Sequence, residues 1–118
     1  MVKKNSCVFI SGKGTNLDKL IKNSRLYNFP IKITLIVSNN KKAKGLIYAK
    51  KYGIPYLFFD NKKNLSEIKI LNEFKKRRIK LICLAGYMRI LSKKFIMSFD
   101  GIIINIHPSL LPKFKGLN

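Results

Sequence analysis

A doubly wound α/β domain built on a mainly parallel sheet is what this chain of 118 residues predicts. Two observations carry the expectation. Short apolar runs rich in β-branched residues alternate with segments of helical period, which implies βαβ units, right-handed crossovers and a sheet covered on both faces. The first, fourth and fifth runs are followed by "SGKGTNL", "GYMRIL" and "NIHPSLLP", segments with distinctive chemistry at the strand exits, where such sheets bind ligands.

The runs "CVFI" (7–10), "IKITLIV" (31–37), "PYLFF" (55–59), "KLICLA" (80–85) and "GIIINI" (101–106) read as strands. A first helix is expected from about Leu17 to Tyr27, with Leu17, Leu20, Ile21 and Leu26 along one side and Thr15 or Asn16 as N-cap. A second covers about Lys41 to Tyr52 and stops before Gly53 and Pro55. The third, roughly Leu65 to Arg78, carries Leu65, Ile68, Leu71 and Phe74 on one face. A short fourth follows from Ser92 to Ser98. Fold rules suggest the sheet order 3-2-1-4-5, which makes strands one, four and five neighbours. The whole of 1–118 is expected to be a single domain, since the length excludes a second.

Apolar residues make up 47% of the chain, which fits neither disorder nor a fibrous architecture. No apolar run approaches the roughly 20 residues that span a bilayer, and no export signal is visible. Cys7 and Cys83 lie apart, without a Cys-x-x-Cys spacing or a nearby histidine, and are expected to be reduced core residues in a cytoplasmic protein. The formal charge of +20 invites a nucleic-acid reading, but lysine supplies nearly all of it, scattered along the chain, and arginine appears four times. The densest cluster, "KKRRIK" at 75–80, falls at a helix end, where cations complement the dipole. A solvated lysine surface is therefore favoured over a nucleic-acid face, which stays open as an alternative.

Three segments carry chemistry. "SGKGTNL" (11–17) joins a strand to a helix through Gly12 and Gly14, and free N–H groups at a helix start can hold an anion. The third glycine of a dinucleotide fingerprint is replaced by Leu17, and the pattern is not that of a triphosphate loop. A phosphate monoester suits Gly14, Thr15 and Asn16 better. "AGYMRIL" (85–91) leaves the fourth strand so that Met88, Ile90 and Leu91 can wall a slot for a flat heterocycle, with Arg89 at its rim. In "NIHPSLLP" (105–112), strand alternation puts Asn105 and His107 on one side and Pro108 stops the strand. An amide donor beside an imidazole can stabilise an oxyanion or move a proton, as acyl-group transfer requires. Ser109 lacks the surroundings of a nucleophile elbow.

"FISGKGTNL", "VSNN", "LICLAGYMRIL" and "IINIHPSLLPKFKGL", in this order, resemble the glycinamide ribonucleotide formyltransferases over the whole chain. The first loop matches that family's Ser-Gly-x-Gly-Ser-Asn-Leu with Thr15 in place of serine. The resemblance implies the Rossmann-like formyltransferase fold and transfer of a formyl group from 10-formyltetrahydrofolate, a co-substrate, to the amine of 5-phosphoribosylglycinamide in purine biosynthesis. No metal is implied. By that resemblance Gly14, Thr15 and Asn16 hold the substrate phosphate, while Met88, Arg89, Ile90 and Leu91, with Asn105 and Lys63, contact the folate. Lys63 would stand where the family has an arginine, keeping the charge without the planar fork. Asn105 and protonated His107 would be catalytic.

The family continues past this segment through a loop whose aspartate keeps the histidine protonated. On that basis a C-terminal part is expected to be missing, leaving a sheet edge or apolar helix surface uncovered. The chain alone is expected to be weak or inactive, and its partners to be small molecules and either a complementing half or a second copy. With a pKa near about 6.5, His107 would be only about a quarter charged at pH 7. An inactive remnant and half of a split enzyme remain the alternatives.

Overall fold

The computed structural model describes residues 2–10, 15–40, 44–59, 64–85 and 91–106. The strands β1 (Lys4–Ile10), β2 (Ile31–Ser38), β3 (Tyr56–Phe58), β4 (Leu81–Ala85) and β5 (Ile102–Ile106) pair in parallel in the order β3-β2-β1-β4-β5. This is the expected α/β class and the expected strand order. The helices are α1 (Thr15–Ser24), α2 (Gly45–Lys51), α3 (Asn64–Arg77) and α4 (Lys93–Ser98).

Each face of the sheet has its own core. Val8, Ile10, Ile36, Leu81 and Cys83 meet Leu17, Leu20 and Ile21 of α1 and Ala49 of α2 on one face. On the other, Cys7, Phe9, Leu35, Val37 and Ile82 meet Ile70 and Phe74 of α3 and Phe95 of α4. Aromatic rings dominate this second core, with Phe9 centred 6.0 Å from Phe59, 6.3 Å from Phe74 and 6.2 Å from Phe95, all edge-on. Cys7 and Cys83 are free and buried, as expected, and belong to opposite faces, so the sheet separates the two sulfurs. Burial pushes the Cys83 thiol up to about 12 and Cys7 well above its ordinary value.

β2 serves both cores by a break in its alternation. Ser6 pairs with Ile33, but Cys7 pairs with Leu35, so Thr34 is an extra residue on β2. Ile31 and Ile33 pack with the first core, whereas Leu35 and Val37 pack with the second. The Thr34 hydroxyl donates to the Ser6 carbonyl across the irregularity, at 3.4 Å.

Element ends depart from expectation for identifiable reasons. α1 takes in Thr15 and Asn16 in its first turn and stops at Ser24, before Tyr27. The Ser24 hydroxyl donates back to the Ile21 carbonyl, and the Lys3 ammonium takes up the Ser24 and Leu26 carbonyls, satisfying the end of the helix from outside. Leu26 is consequently exposed rather than part of the helix face. In α3 the side turned to the sheet is that of Ile70 and Phe74, and Ile68 is exposed, so the expected stripe is rotated. α4 begins as expected at Ser92, whose hydroxyl accepts the Phe95 N–H at 3.0 Å.

α2 and α3 end in the same way. After α2 the Gly53 and Ile54 N–H groups bond to the Lys50 and Ala49 carbonyls; after α3 the Arg78 and Ile79 N–H groups bond to the Lys75 and Phe74 carbonyls. The turn needs a positive φ, which Gly53 adopts at 68° and Arg78 at 55°. Arg78 is the only non-glycine residue in that conformation among those described.

β5 is the outer strand of the described sheet, and Ile102 and Ile104 are exposed on its first-core face.

Candidate active site

The carboxyl ends of β1, β4 and β5 lie side by side. Phe9 is paired with Leu84, and Leu84 with Asn105, so the three strands end at nearly one level. At about 4.8 Å between strands, the exit of β1 and Asn105 on β5 are about 10 Å apart, within the span of one small molecule. α1 begins immediately after the β1 exit loop.

α1 is held in place by a polar clamp on its exposed flank. The Tyr52 hydroxyl, just past α2, donates to the Asp18 carboxylate, which also pairs with Lys22 at 3.2 Å. Arg25 lies over the Tyr52 ring at 5.0 Å and donates to the Tyr52 carbonyl at 2.9 Å. The Tyr52 hydrogen bond, helped by Lys22, holds the Asp18 carboxyl below the usual carboxylate range, against partial burial. A depressed carboxyl stabilises the folded state above its unfolded pKa of about 3.9, and that contribution disappears as pH falls through the folded value. Asp18→Asn should therefore lower the thermal midpoint at neutral pH, and the deficit should shrink as the pH falls through the depressed folded value. A deficit that stays constant as the pH is lowered would show that Asp18 acts by packing alone.

Asn105 is exposed, and its side chain has no hydrogen-bond partner among the described residues, so its amide is free to meet a ligand. It shares its sheet face with Ile103 and with Leu91, which is 6% exposed and packs into the second core beside Phe95. Thr15 and Asn16 contribute their backbone to the first turn of α1, while their side chains are not among those described. Gly14, Lys63, Met88, Arg89, Ile90 and His107 lie outside the described residues. Among the described residues no cluster of His, Cys, Asp or Glu is arranged to hold a metal, and no helix is long and apolar enough to cross a membrane.

One residue at this rim was not singled out from the sequence. Asn39 follows β2, whose last residue, Ser38, pairs with Ile10 at the end of β1. Its side-chain oxygen is buried without a partner among the described residues. The neighbouring Ser38 is buried and staples the turn, accepting from the Asn40 N–H and donating to its carbonyl, both at 3.0 Å. Two asparagines directly after a strand were the available signal.

Residues 4–118 match the model of the family described as formyl transferase. The phosphoribosylglycinamide formyltransferase of Haemophilus influenzae is 44% identical over 119 residues, covering 98% of this chain and 56% of that protein. The trifunctional purine biosynthetic protein adenosine-3 of Gallus gallus is 45% identical over 118 residues, covering 94% of this chain and 12% of that protein. A crystal structure of phosphoribosylglycinamide formyltransferase from Brucella melitensis superposes with a TM-score of 0.81 at 41% identity, covering 98% of this chain and 62% of that one. The chain thus spans less than two thirds of each of these relatives.

Proposed function

The chain belongs to the formyl transferase family, and from that premise we propose that residues 1–118, acting as one domain, build part of the site of a phosphoribosylglycinamide formyltransferase. In this reading the amine of the ribonucleotide attacks the formyl carbon of 10-formyltetrahydrofolate. A carbon–nitrogen bond forms to the substrate, the bond to the folate nitrogen breaks, and the proton lost by the amine goes to that nitrogen. Asn105 and protonated His107 steady the oxygen of the tetrahedral intermediate. Gly14, Thr15 and Asn16 hold the substrate phosphate at the start of α1, where backbone N–H groups are free. Met88, Arg89, Ile90 and Leu91 hold the ring system of the folate, which Lys63 also contacts.

The observation that carries the reading is the alignment of three strand exits, with the unpartnered Asn105 amide level with Leu84 and about 10 Å from the β1 exit. The family match and the names of the relatives support the reaction class and the small-molecule substrates. The test is a calorimetric titration of the chain with a folate analogue. Saturable binding is expected, weakened about tenfold by Asn105→Ala and nearly insensitive to salt. Absence of binding, or a variant that binds equally well, would remove the proposal; tight binding of nucleic acid with a steep salt dependence would favour the polycation reading instead.

A further inference from the structure

At the opposite, amino-terminal ends of β4 and β5, the ends of α3 and α4 leave a hollow of about 310 Å³. Its floor is apolar, formed by Leu71, Phe74, Ile79 and Phe99, and its rim carries Lys75, Arg78 and Lys80 together with Ser98 and Asp100. The charges on this rim are not equivalent. Lys80 is paired with Asp100 at 3.1 Å, and the next carboxylate along α3, Glu73, is taken by Arg77 and Lys76. No carboxylate among the described residues pairs with Lys75 or Arg78. Nor are these two cations needed to cap the helix, because the Phe74 and Lys75 carbonyls already accept the Ile79 and Arg78 backbone N–H groups.

Arg78 makes the hollow more than a by-product of a lysine-rich surface. The identical turn after α2 is made by Gly53, the residue suited to a positive φ, whereas here an arginine is held in that strained conformation at the rim. Arginine is the rarer cation of this chain, with a planar fork that matches an oxyanion in two places. A volume near 300 Å³, an apolar floor and a pair of uncommitted cations suit one kind of occupant. We infer that this hollow is a second ligand site for a small amphiphilic anion, whose ring or short apolar body rests on Leu71, Phe74 and Phe99 and whose carboxylate, phosphate or sulfonate is held by Arg78 and Lys75. The site lies across the sheet's length from the strand exits and is independent of the formyl-transfer reading.

The fluorescent probe 8-anilinonaphthalene-1-sulfonate tests it, with uncharged N-phenyl-1-naphthylamine as control, on the full 118-residue chain. One saturable site is expected for the sulfonate, with at least about tenfold weaker binding of the neutral ring. Arg78→Gly should weaken the sulfonate by about tenfold while the thermal midpoint stays level or rises, because glycine relieves the positive φ. Should Arg78→Gly fold poorly, Lys75→Gln is the variant that decides, with a loss of at least about threefold expected from removal of one charge contact. Amide resonance shifts should centre on Leu71, Arg78 and Phe99. The inference is overturned by non-saturating binding, by equal affinity for the neutral probe, by variants that bind as wild type, by shifts centred on Asn105, or by a site that takes an acidic helical peptide and not the dye.

Discussion

Gly101→Ala should cost about 3 kcal/mol, lowering the urea midpoint with little change in slope. A Cβ at this position would stand 2.3 Å from the Lys80 carbonyl oxygen, 2.8 Å from its carbon and 2.6 Å from the Phe99 ring. The oxygen cannot yield cheaply. It accepts the Ile102 N–H at 3.0 Å as the first rung between β4 and β5, and the Lys80 N–H is itself tied to the Asn5 carbonyl at 3.1 Å. Relief therefore requires β5 to move away from β4, carrying Asn105 with it, so folate-analogue binding should fall as well. Gly53→Ala is the control: its positive φ makes alanine strained by about 1 kcal/mol, but nothing lies within 4 Å of the new Cβ. Its ligand binding should stay unchanged. If the two variants behave alike, the close approach at Gly101 is not what sets the position of β5.

Phe9→Ala should be costlier, at about 3–5 kcal/mol, a large part of the roughly 5–15 kcal/mol that holds a domain together. Phe9 is fully buried and its ring touches three others that come from α3, α4 and the segment after β3. Those neighbours are anchored to separate elements, so they cannot close on the vacated volume together. Phe9→Leu, which keeps most of the volume, should cost far less. Chemical unfolding measures both, and a loss below about 2 kcal/mol for alanine would mean that the second core collapses around the gap.

The strand order was legible because alternating apolar runs admit few right-handed parallel arrangements. The start of β1 was not: Lys4, Asn5 and Ser6 have no apolar signature, yet they pair with β2, and Ser6 is buried with its hydroxyl on the Lys4 carbonyl. The stripe on α3 was misjudged because Ile68, Leu71 and Phe74 keep helical spacing as well as Ile70 and Phe74 do. The choice between them is made by the sheet and α4, which local periodicity cannot sense. The end of α1 depends on Lys3, 21 residues away from Ser24 in sequence. The position of Asn105 near the carboxyl end of β5 was legible from the apolar run that contains it. The buried oxygen of Asn39 and the conformation of Arg78 depend on packing and on a turn, and neither leaves a mark on periodicity.

The extra residue in β2 gives that strand a tolerance its neighbours lack. Strict alternation would send Ile31, Ile33, Leu35 and Val37 to one side, and it is the surplus at Thr34 that redistributes them. A chain shortened by Thr34 alone would alternate regularly and still deliver each of these four side chains to its present layer. Loss of one residue anywhere between Leu35 and Val37 would instead invert whatever follows, sending side chains meant for one layer into the other at the crevice end of the strand.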